Sequence, residues 1–192
     1  MADHDLAALW EAHCRHEFET RDADATMATM VAEPYVNHVP TMTGGVGREQ
    51  LKRFYKYHFI EGNPPDMALL PVSRTVGADQ LVDEMVLRFT HTAEIDWMLP
   101  GMAPTGRTVE VPLVAIVGFR DGKVAHEHIY WDQASVLVQI GLLDPKLVPG
   151  SFKTLEEGRE NGVERLPVVG EEGARKVRNE DEGESNKLMK GW

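Results

Sequence analysis

Apolar residues recur along this chain at two different periods, and the change of period separates a helical first third from a strand-rich remainder. Leu6, Leu9, Trp10, His13, Cys14 and Phe18 fall on one helical face, with Glu11, Arg15 and Glu19 opposite, which predicts a helix over residues 5–20. Asp22 or Asp24 can cap a second, shorter helix whose apolar side is Met27, Met30 and Val31, and Pro34 then breaks the pattern. Residues 35–40 read as a short strand and the glycines of 41–47 as a turn. Residues 48–59 return to helical spacing through Leu51, Phe54, Tyr55, His58 and Phe59.

From residue 67 onward the pattern alternates. Residues 67–76 and 81–92 read as strands joined by the turn Gly77-Ala78-Asp79, and in the second of them Leu81, Met85, Leu87, Phe89 and His91 point one way. A proline-glycine loop over 100–106 leads to a mostly apolar strand at 108–119. Asp121-Gly122 makes a favoured hairpin turn into the last strand, 124–131. Helices followed by a meander of antiparallel strands indicate an α+β fold with the helices over one sheet face. A pocket is expected between the first helix, the 48–59 helix and that face.

The richest stretch runs from 126 to 143. His126, His128, Tyr130 and Asp132 fall on one side of an extended chain, and Glu127, Ile129 and Trp131 on the other. The period then becomes helical through Val136, Leu137 and Ile140, and Gly141 stands where a helix would end. Asp132 sits at the change of period. If its side faces inward, a carboxylate projects into the interior with two imidazoles and a phenol behind it.

Composition narrows the function classes. The 192 residues carry a net charge of -11 with 42% hydrophobic residues, which fits one globular domain with an appendage. Such an acidic chain repels phosphate backbones and anionic membranes, so neither nucleic acid nor membrane is an expected partner. The lone Cys14 excludes an intrachain disulfide and reads as packing. With no export signal or membrane-spanning run, a cytoplasmic location is expected. After Leu143, Pro145, Pro149 and Gly150 form a linker, and residues 151–192 are rich in Glu, Lys, Arg and Gly. The division expected is therefore a domain over 1–143 and a charged extension over 144–192, loosely held, with 166–169 its only apolar patch and the one part able to dock on the domain.

This element order, together with the run from Asp132 through Gln133, Leu137, Gln139 and Ile140 to Gly141, resembles the SnoaL-like polyketide cyclase family of the nuclear transport factor 2 group. The resemblance covers residues 5–143. It implies a cone-shaped barrel, a curved antiparallel sheet wrapped around N-terminal helices, with an apolar pocket inside. The family's cyclases use the matching aspartate, here Asp132, as a general base on carbon next to a carbonyl, before an intramolecular aldol closure. They also place a histidine on the preceding strand, where this chain has Val117-Gly118-Phe119. The family commonly forms homodimers through the outer face of the sheet, which here would carry Val82, Val86, Arg88 and part of the 109–119 strand.

The expected catalytic set is Asp132 with His38 and His128, and the expected substrate contacts are Trp10, Tyr55, Phe89, His91 and Tyr130. An apolar pocket would raise the pKa of Asp132 and make it a competent base, with Tyr130 or an imidazole stabilising an enolate. Asp132 is equally well placed as a helix N-cap. His126 and His128 with Asp132 also have the spacing of a divalent-metal site, but no second carboxylate accompanies them, so neither metal nor cofactor is expected. Gly44, Gly45 and Gly47 lack the lysine-serine pair of a phosphate loop, and no serine elbow marks a triad hydrolase. Three functions follow in order: a cofactor-free cyclase or isomerase acting on a small apolar carbonyl compound, a non-catalytic binder of a hydrophobic small molecule, and an epoxide or lactone hydrolase with Asp132 activating water.

Overall fold

Side-chain caps set where the first helices begin. The Asp5 carboxylate accepts from the Ala8 amide at 3.0 Å and starts α1, Leu6–Phe18. Asp22, rather than Asp24, accepts from the amides of Asp24 and Ala25 and starts α2, Ala23–Ala28. The third helix, α3 at Gly47–Phe54, continues into a π-helical segment, Tyr55–Ile60. The wider π turn brings Tyr55, Phe59 and Ile60 into the core together. The computed structural model describes residues 4–147, 166–179, 181–182, 185–186 and 188.

Six strands form one sheet: β1 Met30–His38, β2 Thr43–Val46, β3 Ala68–Val76, β4 Gln80–Thr90, β5 Thr108–Arg120 and β6 Lys123–Trp131, in the order β2-β1-β6-β5-β4-β3. All neighbours are antiparallel except β1 and β6, which run parallel. The α+β class follows as expected. Two local readings do not. β1 starts at Met30, with Pro34 inside it. Pairing with β6 slips between Met30 and Tyr35, so the missing proline N–H breaks no regular ladder. The glycine-rich turn contains β2, which pairs back on β1.

The inner sheet face packs on α1 and, at β1, on α3, with Leu81, Met85, Leu87 and Phe89 of β4 and Val109, Leu113 and Val117 of β5 all buried in the same core. A register slip between Gly118 and Phe119 leaves Ala125 as the extra residue of β6. This bulge lets both Val124 and Glu127 face inward. On the outer face the His126 ring lies across Gly118; a Cβ there would stand 2.1 Å from Cε1 of that ring.

The outer face of β5 is covered by α4, Gln133–Ile140, and α5, Glu171–Arg178. α4 ends at Gly141 with φ +82°, the left-handed cap anticipated from the sequence. Within the extension, residues 166–179 pack rather than float. Val168 and Ala174 are buried, Ser135 donates to the Gly170 carbonyl at 3.1 Å, and Arg178 reaches Glu110 at 2.6 Å. The apolar patch at 166–169 supplies Val168, while the charged composition of α5 hid the rest, because the small Ala174 is its one buried residue. The covering also corrects the surface expected for pairing: Val86 is fully buried, and the outward-facing Glu110 of β5 lies under α5. Truncation after Leu147 should therefore cost about 2–4 kcal/mol of stability, measured by denaturant unfolding, from re-exposed apolar surface and the loss of Arg178, which leaves Glu110 with Arg88 alone.

Candidate active site

Helical spacing on α1 places His13 and Glu17 one above the other on its buried side. The π-helical segment aims Tyr55 at them, and β6 brings Glu127 from the sheet. His13 Nε2 lies 3.1 Å from Glu17 Oε1 and 3.2 Å from Glu127 Oε1. The Tyr55 hydroxyl donates to the same Glu127 oxygen at 3.1 Å. All four groups are buried.

The proton positions follow from Thr29. Its hydroxyl donates to the Thr26 carbonyl at 2.6 Å, so it must accept from His13 Nδ1–H, also 2.6 Å away. Nε2 then faces two carboxyl oxygens and is best protonated as well, making an imidazolium. Burial alone would lower the His13 pKa, but Glu17 and then Glu127 overcome it and raise the value to about 10. Burial raises Glu17, and His13 only partly pulls it back. Burial, then Glu127 and Glu17, keep the Tyr55 phenol protonated well above its usual range. Glu127 thus has one oxygen held by two donors. Its other oxygen has no hydrogen-bond partner among the described residues and is not sealed off.

Glu127 lines a cavity of about 40 Å³ together with Glu17, Tyr55 and His38, walled by rings that include Trp10, Phe59 and Trp97. His38 faces the cavity from β1. Its Nδ1–H donates to the Thr43 carbonyl at 3.3 Å, leaving Nε2 as an acceptor, and burial lowers its pKa to about 4. Trp97 closes one side from the β4–β5 connection. Its carbonyl accepts from Thr41 and Thr43, and its indole N–H donates to Asn63 at 2.8 Å. Trp10 stacks on His13 with centroids 5.4 Å apart and donates to Asp83 at 3.0 Å.

Of the residues expected from sequence, the structure brings Trp10, Tyr55 and His38 to this cavity. Phe89 and His91 are buried but do not line it; His91 hydrogen-bonds Thr105 at 3.1 Å. Asp132, His128 and Tyr130 are elsewhere. The alternation of β6 was read correctly but assigned to the wrong side, because the face carrying Ile129 and Trp131 is the more apolar and turns inward. Outside the sheet His128 meets the Tyr35 ring edge-on and the His126 ring at a tilt, and Tyr130 is exposed. Asp132 is exposed and caps α4, accepting from the Ala134 amide at 2.9 Å. It is not a cavity residue, so neither proton abstraction nor water activation in the cavity can be assigned to it.

The residues that sequence reading passed over are Glu17 and Glu127. Glu17 was readable as the i+4 neighbour of a histidine on an apolar stripe, and Glu127 as the one acid on the greasier face of β6. His13, Glu17 and Glu127 are also the trio among the described residues whose donor atoms converge as metal ligands would, all within 4.8 Å. With both His13 nitrogens donating, hydrogen bonds already account for the cluster. His126, His128 and Asp132, which have metal-site spacing in the sequence, are not among the groups that converge in this way.

Glu127 and Glu17 share one cavity but sit in different environments: one is anchored by two donors, the other pushed toward its protonated form. Such a pair divides base and acid roles.

Comparison with known proteins agrees with the architecture. No curated protein matches the sequence of this chain. Among solved structures, TsrD from Streptomyces laurentii is 19% identical, with a TM-score of 0.56 over 72% of this chain and 96% of that one. IdmH from Streptomyces antibioticus is 20% identical, with a TM-score of 0.56 over 72% and 99%. A protein of ketosteroid isomerase-like fold from Catenulispora acidiphila is 21% identical, with a TM-score of 0.53 over 70% and 93%. At these identities the likeness establishes the fold. The signature of the SnoaL-like polyketide cyclases spans residues 6–140, and the chain belongs to that family.

Proposed function

We propose that this chain is an enzyme of the cyclase or isomerase type that removes a proton from carbon next to a carbonyl, with Glu127 rather than Asp132 as the base. The observation that carries this reading is Glu127, buried and lining an aromatic-walled cavity, with His13 and Tyr55 holding one of its oxygens and no hydrogen bond among the described residues on the other. Glu127 takes the α-proton and becomes a neutral acid. The resulting enolate oxygen is stabilised by the donor on the same wall that is not committed to Glu127, the carboxyl of Glu17, which burial pushes toward its protonated form. In a cyclisation the enolate carbon attacks a second carbonyl of the same molecule, and the new alkoxide recovers the proton from Glu127. No separate cofactor is required by these steps. Two copies would pair through the outer sheet face left uncovered, near Tyr35, His128 and Tyr130, which light scattering at high micromolar concentration can check.

The test needs no natural substrate. In D2O the wild-type protein should accelerate deuterium uptake at the α-carbons of 2-butanone, followed by NMR, beyond the buffer rate. Asp132→Asn should retain that acceleration and change stability by at most about 1 kcal/mol, since asparagine caps nearly as well. A variant without it would restore Asp132 to the mechanism. The second reading, a binder without turnover, rests on the smallness of the cavity; it predicts ketone binding with exchange at the buffer rate.

A further inference from the structure

The inner cavity is too small to hold a whole molecule able to cyclise. A buried water needs about 10–15 Å³ on the same measure, so about 40 Å³ admits roughly three heavy atoms. A second hollow of about 540 Å³ lies directly outside it, between α1 and strands β3 and β4. Cavities of that size hold drug-sized ligands. Cys14, Phe18, Leu69 and Met85 line both spaces and form the neck between them.

The outer hollow has a directional chemistry. Its floor, beyond the neck, is Met67 and Pro71, while Arg15 and Glu19 of α1 stand on the rim. At one end Arg74 ties the walls together. It donates to Glu11 of α1 at 2.8 Å and to both oxygens of Asp83 on β4, at 3.0 and 2.9 Å. With its charge spent on two carboxylates, Arg74 is not a ready anion receptor. The floor suits an apolar chain.

We infer that the hollow between α1 and β3–β4 is a second substrate subsite, which holds the neutral, elongated apolar remainder of a molecule whose carbonyl end passes the Cys14–Met85 neck to reach Glu127. This rests on the function proposed above, and it names the shape and charge of the substrate: a long, uncharged ketone rather than a compact or anionic one. Continuity through four shared residues is what assigns the occupant.

The experiment compares 2-butanone with 2-octanone by ligand-observed NMR titration. A fully buried methylene strengthens binding about fourfold, so four methylenes in a half-open groove should make 2-octanone bind at least about tenfold tighter. Pro71→Glu puts a carboxylate on the floor beyond the neck, at an exposed edge-strand position. It should reduce the 2-octanone to 2-butanone affinity ratio to below about threefold. Ala115→Val fills the inner cavity alone and should weaken both ketones while leaving the ratio above about tenfold, with melting curves confirming that both variants fold. A wild-type ratio near one, or a ratio that Pro71→Glu leaves intact, overturns the subsite. Deuterium exchange in the same samples reports on Glu127 separately. Tighter binding of the long ketone without exchange removes the base and keeps the groove, and exchange without chain-length dependence does the reverse.

Discussion

Glu127→Gln should lower protein-catalysed deuterium uptake by 2-butanone by roughly 100-fold or more, the usual scale for losing a positioned base. Glutamine keeps the size of the side chain and a carbonyl oxygen that can still accept from Tyr55 and His13, so the cavity should keep its shape. What it removes is the capacity to take a proton. The folded state should tolerate the change because one negative charge leaves a site holding two carboxyls and one imidazolium, and Glu17 remains as a partner for His13. Ketone affinity should therefore stay within about threefold of wild type while exchange collapses, a split that a merely structural role would not give. Equal exchange rates in wild type and variant would refute Glu127 as the base and leave the binder reading in front.

The fold was readable because its signals are local. Asp5, Asp22, Gly141 and the Asp121-Gly122 turn mark boundaries by their own backbone chemistry, and alternating strands in a meander leave few ways to pair. The site was half readable. Trp10 and Tyr55 lie on apolar helical faces, and His38 lies on the short strand at 35–40 expected to close the pocket. Glu17 and Glu127 were missed because an acid on an inward face contradicts hydrophobic patterning, and local patterns break where function is placed. The parity of β6 could have been settled by weighing its two faces: Ile129 and Trp131 outweigh the half-buried His126 and His128 and the exposed Tyr130. Analogy pulled the other way, toward an aspartate that the helix after it had already claimed as a cap. The packing of α5 was invisible for a different reason. Its contact depends on Ala174 fitting against β5 and on Arg178 meeting Glu110, and neither leaves a periodic trace.

His13→Leu should be the most destabilising single substitution in the cluster, by about 3–5 kcal/mol, because it leaves Glu17 and Glu127 buried without their shared cation. His13→Leu/Glu17→Leu should recover at least half of that loss, since replacing both partners of a buried pair by apolar residues is often nearly neutral while Tyr55 still serves Glu127. The pH dependence has a definite sign. The folded pKa of His13 is raised to about 10 from an ordinary 6.5. Its contribution is therefore complete below about pH 6.5 and fades as pH rises toward 10. Glu17, also raised, acts with the same sign, so it does not cancel the effect. The elevated Cys14 thiol adds a further loss only above about pH 9, and the Tyr55 phenol only above about pH 10. Unfolding free energies measured by urea titration between pH 6.5 and 9 should fall steadily for the wild type, by about a few kcal/mol. The same measurements on His13→Leu should fall less steeply over that window, by the His13 share of the slope, because the raised Glu17 still contributes with the same sign. A variant whose slope matches that of the wild type would show that His13 carries no extra proton in the folded protein, and the imidazolium that holds Glu127 in place would have to be abandoned.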